Sequence, residues 1–309
     1  MLLLHETSVS AHWRVPGKIN LYLEVLNRRA DGYHDIETIF QSVTLWDDVV
    51  VDISSPGSEI TLHCSDPRLE SPDNLAVRAA RLLRRESGIQ SGARIWINKR
   101  IPVGGGMAGG SADAAAVLVA LNRLWGLGYP AGTLEKLALE LGSDVPFCLS
   151  GGTAAASGRG ERLCPLPEIP SAPHVVLVFP GFISETKKVY QHPALRPCGE
   201  RPGDDGWTPT FAGVLERLRR GRVSEVVFNR LETPVFELYP ALRGVRDFLR
   251  DAGCMAAAVS GSGSTVFGLC GAYETALAIR DQAHERMRMD AEAVSMWHPV
   301  QHSTLGGAV

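Results

Sequence analysis

A run of glycines between two hydrophobic segments is the feature of this sequence that points most directly to chemistry. Residues 101–114 read IPVGGGMAGGSADA, with five glycines among residues 104–110 and Ser111 directly after them. Glycine lacks a Cβ atom, so its backbone can adopt left-handed angles and several amide N–H groups can point at one anion. A helix predicted from Ser111 adds its positive dipole end. The pattern predicts a cradle for a polyphosphate.

The glycine run fits none of three common phosphate-binding patterns. Gly104, Gly106 and Gly109 satisfy GxGxxG, but a dinucleotide fold needs an acidic residue about 20 positions further on to bind ribose, and that region reads GLGYPAG. No Lys-Ser or Lys-Thr pair closes the run as in a P-loop. The HRD and DFG signatures of protein kinases are also missing. The glycine run is therefore predicted to be a phosphate loop of a class other than these three.

Two ionisable residues far apart in the sequence are candidates for acting on an attacking hydroxyl. Phosphoryl transfer requires positioning, electrostatic stabilisation and a group that receives the hydroxyl proton. Asp144 in GSDVPF can be that base, or an ordinary helix cap. Lys18 in PGKIN can steady such a carboxylate and polarise the hydroxyl, or lie solvated at a strand edge. Asn20, two residues along the strand, shares the face of Lys18 and can hydrogen-bond the same substrate.

The elements around these residues are predicted from hydrophobic spacing. The runs INLYLEVL and ETIFQSVTLWDDVVVDIS predict an antiparallel sheet, with a turn at the Asp-Gly pair between them. A helix is predicted over SPDNLAVRAARLLRRESG, with Asp73 or Asn74 as its cap and Gly88 as its end. A strand in ARIWINKRIP leads into the glycine loop, and an alanine-rich helix follows from Ser111 to Gly126.

A change in composition after residue 163 predicts a domain boundary. Before it, a helix predicted from Thr133 delivers the chain to Asp144, and a short helix is expected near Pro146. The stretch CPLPEIPSAP then carries four prolines in ten residues and is the best candidate for a linker. We therefore predict two domains, residues 1–165 with the glycine loop and residues 174–309.

The second domain is expected to combine strands and helices. HVVLVF predicts a strand, and helices are predicted in ETKKVYQ, TFAGVLERLRR and ALRGVRDFLRDAG. AAAVSGSGSTVFGLC predicts two strands around a second glycine loop. Residues 196–213 are expected to form an irregular, mobile excursion.

Charge and cysteine usage narrow the class of protein. The 309 residues carry 31 basic and 34 acidic side chains, a net charge of −3, and no long basic run, so no nucleic-acid partner is expected. The apolar start MLLL is far short of a signal peptide or of the ~20 residues that span a bilayer. We therefore expect a cytoplasmic protein without a membrane partner. The six cysteines show no CxxC spacing, so neither disulfides nor a zinc site is predicted.

Three separated motifs carry a family resemblance. PVGGGMAGGSADAA resembles the phosphate loop of the GHMP superfamily of small-molecule kinases, which includes galactokinase, homoserine kinase and mevalonate kinase. VPGKINLYLEV resembles the first motif of that family and VSGSGSTVFGL its third, in the same order along the chain. The resemblance implies an α+β fold of two domains, an N-terminal one like ribosomal protein S5 domain 2 and a ferredoxin-like C-terminal one, with the active site between them.

The resemblance also implies the donor and the catalytic groups. ATP would be the phosphoryl donor, accompanied by Mg²⁺ whose protein ligands the sequence does not assign. Lys18 and Asp144 would be catalytic. Met107 and Ala108 stand where leucine and glycine are common in the family, and both permit a compact loop. The residues expected to bind ATP are Pro102, Gly104, Gly105, Gly106, Met107, Ala108, Gly109, Gly110 and Ser111.

The acceptor is implied by two longer stretches. RRADGYHDIETIFQSV and LGSDVPFCLSGGTAAASGRGE resemble the branch of the family whose small-molecule acceptor is a cytidine diphosphate-linked methylerythritol. The residues that would bind this acceptor, with the base between aromatic rings and an imidazole at its edge, are Asn20, Tyr33, His34, Thr186 and Tyr190. The alternatives are a homoserine or mevalonate kinase of the same family, and a nucleotide-binding protein without catalysis.

Overall fold

The computed structural model describes residues 1–299, and its first half is built on one long hairpin. Strands β2 and β3 pair in antiparallel register from Ser10 opposite Asp52 to Arg28 opposite His34. The sheet order is β1-β2-β3-β5-β4, with β6 on the free edge of β3 and β7 on β6. The strands are β1 (Leu2–Glu6), β2 (Ser10–Arg28), β3 (His34–Pro56), β4 (Ile60–Cys64), β5 (Ser91–Asn98), β6 (Thr153–Ser157) and β7 (Arg162–Leu166).

Four helices pack on one face of this sheet within the described residues. The most central is the alanine-rich α2, whose Ala114, Ala115 and Ala116 are fully buried, because small side chains let the helix lie close to its neighbours. Asn74 caps the first helix by accepting a hydrogen bond from the Ala76 amide at 2.9 Å. The helices are α1 (Leu75–Ser87), α2 (Gly109–Leu124), α3 (Ala131–Leu141) and α4 (Val145–Ser150).

The helix starts differ slightly from the predictions. Helix α2 begins at Gly109 rather than Ser111, because Ala108 adopts a left-handed conformation (φ 57°) and turns the chain into the helix two residues earlier. Helix α3 begins at Ala131 rather than Thr133, directly after the extended Pro130 (ψ 161°). A proline is well suited to precede a helix, because its missing N–H group would be unpaired there in any case.

The second half forms an antiparallel sheet of order β10-β11-β8-β12, which is the strand order of a ferredoxin-like fold. Four elements of this half were not predicted, namely β9 (Phe228–Asn229), α7 (Glu232–Leu238), α9 (Tyr273–Gln282) and β12 (Asp290–Ser295). The strands are β8 (His174–Phe179), β9 (Phe228–Asn229), β10 (Ala256–Val259), β11 (Val266–Cys270) and β12 (Asp290–Ser295). The helices are α5 (Thr186–Gln191), α6 (Pro209–Arg219), α7 (Glu232–Leu238), α8 (Ala241–Asp251) and α9 (Tyr273–Gln282).

The two halves pack along the long hairpin. The short β9 adds to β2 in parallel at Tyr22 and Leu23, and one hydrophobic cluster joins side chains of β2 and β3 to those of β8 and β11. Strand β7 continues to Leu166, so the predicted boundary at residue 165 falls just inside a strand. The division into residues 1–165 and 174–309 remains a prediction, and residues 300–309 lie outside the described part.

The segment at residues 196–213 is irregular up to residue 208, as predicted, and its two ends are anchored to the rest of the chain. The mobility of this segment stays a prediction. Cys198 and Gly199 donate backbone hydrogen bonds to β2, at 2.9 and 3.0 Å. Thr208 donates from both its amide and its hydroxyl to the buried carboxylate of Glu37, at 2.7 and 2.6 Å. The sequence gives little sign of this contact, because a single glutamate such as Glu37 within a strand does not indicate that it is buried and bonded to a distant segment. Across residues 1–299, no helix combines the length and the apolar character that crossing a membrane requires.

Candidate active site

A cleft of about 770 Å³ lies where the glycine loop, strand β2, the turn after β2, helix α5 and the second glycine loop meet. Ten of the residues predicted to form the site line it. They are Lys18, Asn20, Tyr33, His34, Gly106, Ala108, Ser111, Asp144, Thr186 and Tyr190. The other six predicted loop residues do not line the cleft. Gly105, Met107 and Gly109 are buried, Pro102 is half-buried, and Gly104 and Gly110 are exposed.

The first glycine loop is bound to the second one. The Ser260 hydroxyl donates to the carbonyl of Gly106 at 3.0 Å, and the Thr265 amide donates to the carbonyl of Gly105 at 3.1 Å. Gly106 has φ +75°, and a Cβ atom there would lie 2.1 Å from the Ser260 carbonyl oxygen. Glycine is thus required at position 106 for packing between the loops, in addition to any approach of a ligand.

The amino end of α2 faces the cleft without a side-chain cap. Ala108 precedes the helix and offers no capping oxygen, and Ser111 in the first turn lines the cleft. The first N–H groups of a helix have no intrahelical acceptor and carry the positive end of its dipole. The arrangement is that of an anion site.

Lys18 and Asp144 lie side by side in the cleft. The Lys18 ammonium is 3.7 Å from a carboxylate oxygen of Asp144 and donates a 2.7 Å hydrogen bond to Oδ1 of Asn20. The Asn20 amide in turn donates to the Thr38 hydroxyl at 2.8 Å, and Thr38 donates to the Tyr22 carbonyl at 2.6 Å. Asn20 therefore orients Lys18 in this structure, a role that the strand spacing alone did not indicate.

The carboxylate of Asp144 is free for chemistry. Asp144 precedes α4 and its carbonyl accepts a hydrogen bond from the Cys148 amide at 3.2 Å, but within the described chain its side chain caps no amide. The side chain is 35% exposed, whereas that of Lys18 is 7% exposed. The ring of Phe40 lies 5.2 Å below the ammonium and shields it from the other side. A partly exposed carboxylate beside a buried cation can accept a proton from a bound hydroxyl.

Aromatic groups form the far end of the cleft. The rings of His34 and Tyr190 are 5.4 Å apart, and the ring of Tyr33 is 56% exposed to the cleft. Burial, together with the charge of Arg28, lowers the pKa of His34, so its imidazole is neutral at physiological pH. Burial raises the pKa of Tyr190, which stays a phenol. Thr186 shares a 2.8 Å hydrogen bond with the Ser262 hydroxyl of the second glycine loop.

A buried charge cluster lies behind the phosphate loop. The Lys99 ammonium is 2.8 Å from Asp113 in the first turns of α2 and also pairs with Asp47, which accepts hydrogen bonds from the amides of Arg100 and Ile101 at 2.6 and 2.9 Å. The cluster joins the strand that enters the loop to the helix that leaves it. Asp113, in the first turns of α2, is buried.

Within residues 1–299, no group of three or more His, Cys, Asp or Glu side chains is placed to form a metal-binding site. The cleft does offer oxygen donors, and the Ser111 hydroxyl is the one in the first turn of α2. Mg²⁺ that arrives with a nucleotide is typically held by one or two such groups together with phosphates and water. The donor set fits an ion carried in by ATP.

Family models match both halves of the chain. The model of the GHMP kinases N terminal domain matches residues 74–152, and the model of the GHMP kinases C terminal domain matches residues 212–288. The chain belongs to the GHMP kinase family, as the three motifs had predicted.

Named relatives narrow the family to one kind of kinase. A protein of Synechococcus sp. named 4-diphosphocytidyl-2-C-methyl-D-erythritol kinase is 43% identical over 269 residues, 85% of this chain and 86% of the relative. A protein of Mycolicibacterium gilvum with the same name is 44% identical over 262 residues, 83% of this chain and 81% of the relative.

Solved structures agree on the fold. A crystal structure of 4-(cytidine 5'-diphospho)-2C-methyl-D-erythritol kinase matches with a TM-score of 0.75 at 39% identity, over 92% of this chain and 98% of that one. The homoserine kinase from Cytophaga hutchinsonii matches with a TM-score of 0.72 at 20% identity, over 96% of this chain and 97% of that one. At that identity the second match shows the two-domain fold alone.

Several residues in or behind the cleft were missed from the sequence. Thr38 orients Asn20, Ser262 bonds Thr186, and Arg159 and Lys187 bring two further cations to the cleft. The glycines on either side of Arg159 in SGRGE were a usable signal, because such spacing indicates a tight turn that presents one side chain.

Proposed function

We propose that this protein transfers the γ-phosphoryl group of ATP to the 2-hydroxyl of 4-diphosphocytidyl-2-C-methyl-D-erythritol, a step in the formation of isoprenoid precursors. The observation that carries the proposal is that one cleft holds an uncapped helix end for phosphate, the Lys18–Asp144 pair and an aromatic pocket. The names of the relatives supply the acceptor, and the geometry supplies a place for each of its parts.

The mechanism follows from the positions of the charged groups. Asp144 takes the proton from the 2-hydroxyl of the acceptor while the hydroxyl oxygen attacks the γ-phosphorus of ATP. The bond from that phosphorus to the leaving oxygen of ADP breaks in the same step. Lys18, held by Asn20, orients the hydroxyl and steadies the developing charge. The amide groups at the start of α2 bind the phosphate oxygens, with Ser111 beside them. Mg²⁺ bound with ATP would neutralise phosphate charge, and the Ser111 hydroxyl would be a protein donor to it.

The aromatic end of the cleft recognises the cytosine base. The exposed face of Tyr33 stacks on the ring, and Tyr190 closes the opposite side. Neutral His34 has one ring nitrogen that donates and one that accepts, so it can bond the polar edge of the base. Thr186 lies at the second glycine loop, near the sugar part of the acceptor. The charged substrates are metabolites of the cytoplasm, where we place the enzyme.

Acceptor-dependent release of ADP tests this function. Purified protein is incubated with ATP, Mg²⁺ and one acceptor at a time, chosen from the cytidyl acceptor, homoserine and mevalonate. We expect turnover only with the cytidyl acceptor, because the other two have no base to fill the aromatic pocket. Turnover with homoserine or mevalonate alone would assign the chain to another branch of the family. ATP binding without turnover on any acceptor would favour a non-catalytic nucleotide-binding protein.

A further inference from the structure

Three cationic side chains line the cleft, and the proposed chemistry uses only one of them. Lys18 is held by Asn20 and Asp144, whereas Arg159 and Lys187 have no carboxylate within 4.0 Å in the described part of the chain. Lys187 is exposed on α5, and Arg159 is half-buried. A half-buried guanidinium facing a cleft without a partner leaves a charge that an anionic ligand can neutralise.

The turn between β6 and β7 is built to hold Arg159 in place. Gly158 and Gly160 on either side of it have φ 71° and 101°, angles that strongly favour glycine. The Arg159 amide donates to the Glu161 carboxylate at 2.5 Å, and the Gly158 carbonyl accepts from the Ile36 amide of β3 at 2.7 Å. The backbone of this turn is therefore fixed at both ends, and the arginine projects from a rigid base.

The side chain of Arg159 lies on the ring of Tyr33. Its guanidinium carbon is 4.8 Å from the ring centroid, a cation–π contact. This contact engages no N–H hydrogen bond of the guanidinium, so its N–H groups can bind an oxyanion in a fork. Asp31, the nearby acid, is already bonded to Arg29 at 3.1 Å and to the Tyr33 amide at 3.1 Å.

We propose that Arg159 binds the diphosphate of the acceptor and thereby selects acceptors that carry a nucleoside diphosphate. This inference rests on the proposed function. In that acceptor the diphosphate joins the base to the alcohol that reacts, so it must run from the base at Tyr33 toward Asp144. The Arg159 guanidinium over the Tyr33 ring lies at the start of this path, and its N–H fork matches two phosphate oxygens.

The test compares cytidine with cytidine diphosphate as ligands, alongside turnover of the full acceptor. The variants are Arg159→Met and Arg159→Lys, with Arg162→Met as matched control, because Arg162 is exposed in the same hairpin and does not line the cleft. For wild type we expect cytidine diphosphate to bind at least about tenfold more tightly than cytidine, a factor that equals about 1.4 kcal/mol. Arg159→Met should abolish this preference, Arg159→Lys should retain part of it, and Arg162→Met should keep all of it.

Kinetics provide the second readout. Arg159→Met should raise the KM for the acceptor about tenfold or more, with kcat and the KM for ATP nearly unchanged, since charge-assisted contacts to one substrate are lost. The salt dependence of kcat/KM for the acceptor should also weaken.

Different failures have different meanings. If Arg159→Met weakens cytidine and cytidine diphosphate by the same factor, the arginine merely supports Tyr33 and the inference is wrong. An unchanged KM for the acceptor would overturn it as well. If the wild-type protein neither binds cytidine diphosphate nor phosphorylates the acceptor, the proposed function itself fails.

Discussion

Replacing Asp144 by asparagine tests the proposed base with a nearly isosteric change. The carboxylate that would accept the hydroxyl proton is lost, while hydrogen bonding to the side chain is kept. General base catalysis contributes about 10²–10⁴-fold, so we expect kcat to fall within that range. The KM values for ATP and for the acceptor should stay within a few-fold of wild type, because Asp144 stands beside the reacting hydroxyl and away from the aromatic pocket.

The same change has a limited cost in stability. Two unit charges about 4 Å apart attract by about 1 kcal/mol in water and about 4 kcal/mol at an effective dielectric constant of 20. The Asp144 side chain is 35% exposed, so screening moves the value toward the lower figure. Lys18 also keeps its 2.7 Å hydrogen bond to Asn20. The variant should therefore fold, with a small drop in melting temperature.

The assay is single-turnover phosphorylation of the acceptor, so that product release does not mask the chemical step. Asp31→Asn is the matched control, since Asp31 is another carboxylate that lines the cleft but forms no ion pair with Lys18. The control should react at nearly the wild-type rate. Lys18→Met should cause a loss similar to that of Asp144→Asn, and the two losses should not add. A folded Asp144→Asn protein that reacts within a few-fold of wild type would refute the acid–base role.

Three further predictions address the loop, the base pocket and the buried cluster. Gly106→Ala should lower the melting temperature and abolish ATP binding, because its Cβ would lie 2.1 Å from the carbonyl oxygen of Ser260. Ser111→Ala removes only a hydroxyl that lines the cleft, so this variant should fold normally and weaken ATP in a titration. Unchanged ATP affinity of the Ser111 variant would argue against a phosphate site at the start of α2. Tyr33→Ala should raise the KM for the acceptor about tenfold or more and leave the KM for ATP unchanged, since base stacking is worth about 1–3 kcal/mol. Equal effects on the KM values of both substrates would mean that Tyr33 supports the structure and does not bind the base. Burial raises the pKa of Asp113 to about 7, so the folded protein holds this proton more tightly than the unfolded chain does. The free energy of unfolding of the wild-type protein should therefore fall, relative to that of Asp113→Asn, as pH rises from about 4 to about 7. A difference between the two proteins that does not change with pH would contradict this.

Much of the fold could be predicted because its local signals are strong. Asn74 and Gly88 bracket α1 as predicted, and Gly88 ends the helix in the left-handed conformation. The second glycine loop lies between two strands, β10 and β11, as its sequence indicated. Lys18 and Asn20 point to the same side of β2 because side chains of a strand alternate.

What could not be predicted depends on contacts between distant parts of the chain. The requirement for glycine at position 106 comes from Ser260, a residue of the other half of the chain. The early start of α2 follows the left-handed Ala108, a conformation that alanine rarely adopts. The burial of Asp113 accompanies its pairing with Lys99, which lies between the preceding strand and the loop. The part of Asn20 in orienting Lys18 could not be predicted, because the Thr38 hydroxyl that holds Asn20 is supplied by the neighbouring strand, and its contact with substrate stays a prediction.

A crystal structure with the cytidyl acceptor and a non-hydrolysable ATP analogue tests the central claim most directly, which is that one cleft brings the donor phosphate, the base and the acceptor hydroxyl together. We expect the γ-phosphate at the amino end of α2 and the cytosine on Tyr33. The 2-hydroxyl should lie within about 2.6–3.2 Å of the Asp144 carboxylate, the reach of a hydrogen bond in general base catalysis. An acceptor bound with its 2-hydroxyl away from Asp144 and Lys18, or a nucleotide bound outside this cleft, would contradict the account.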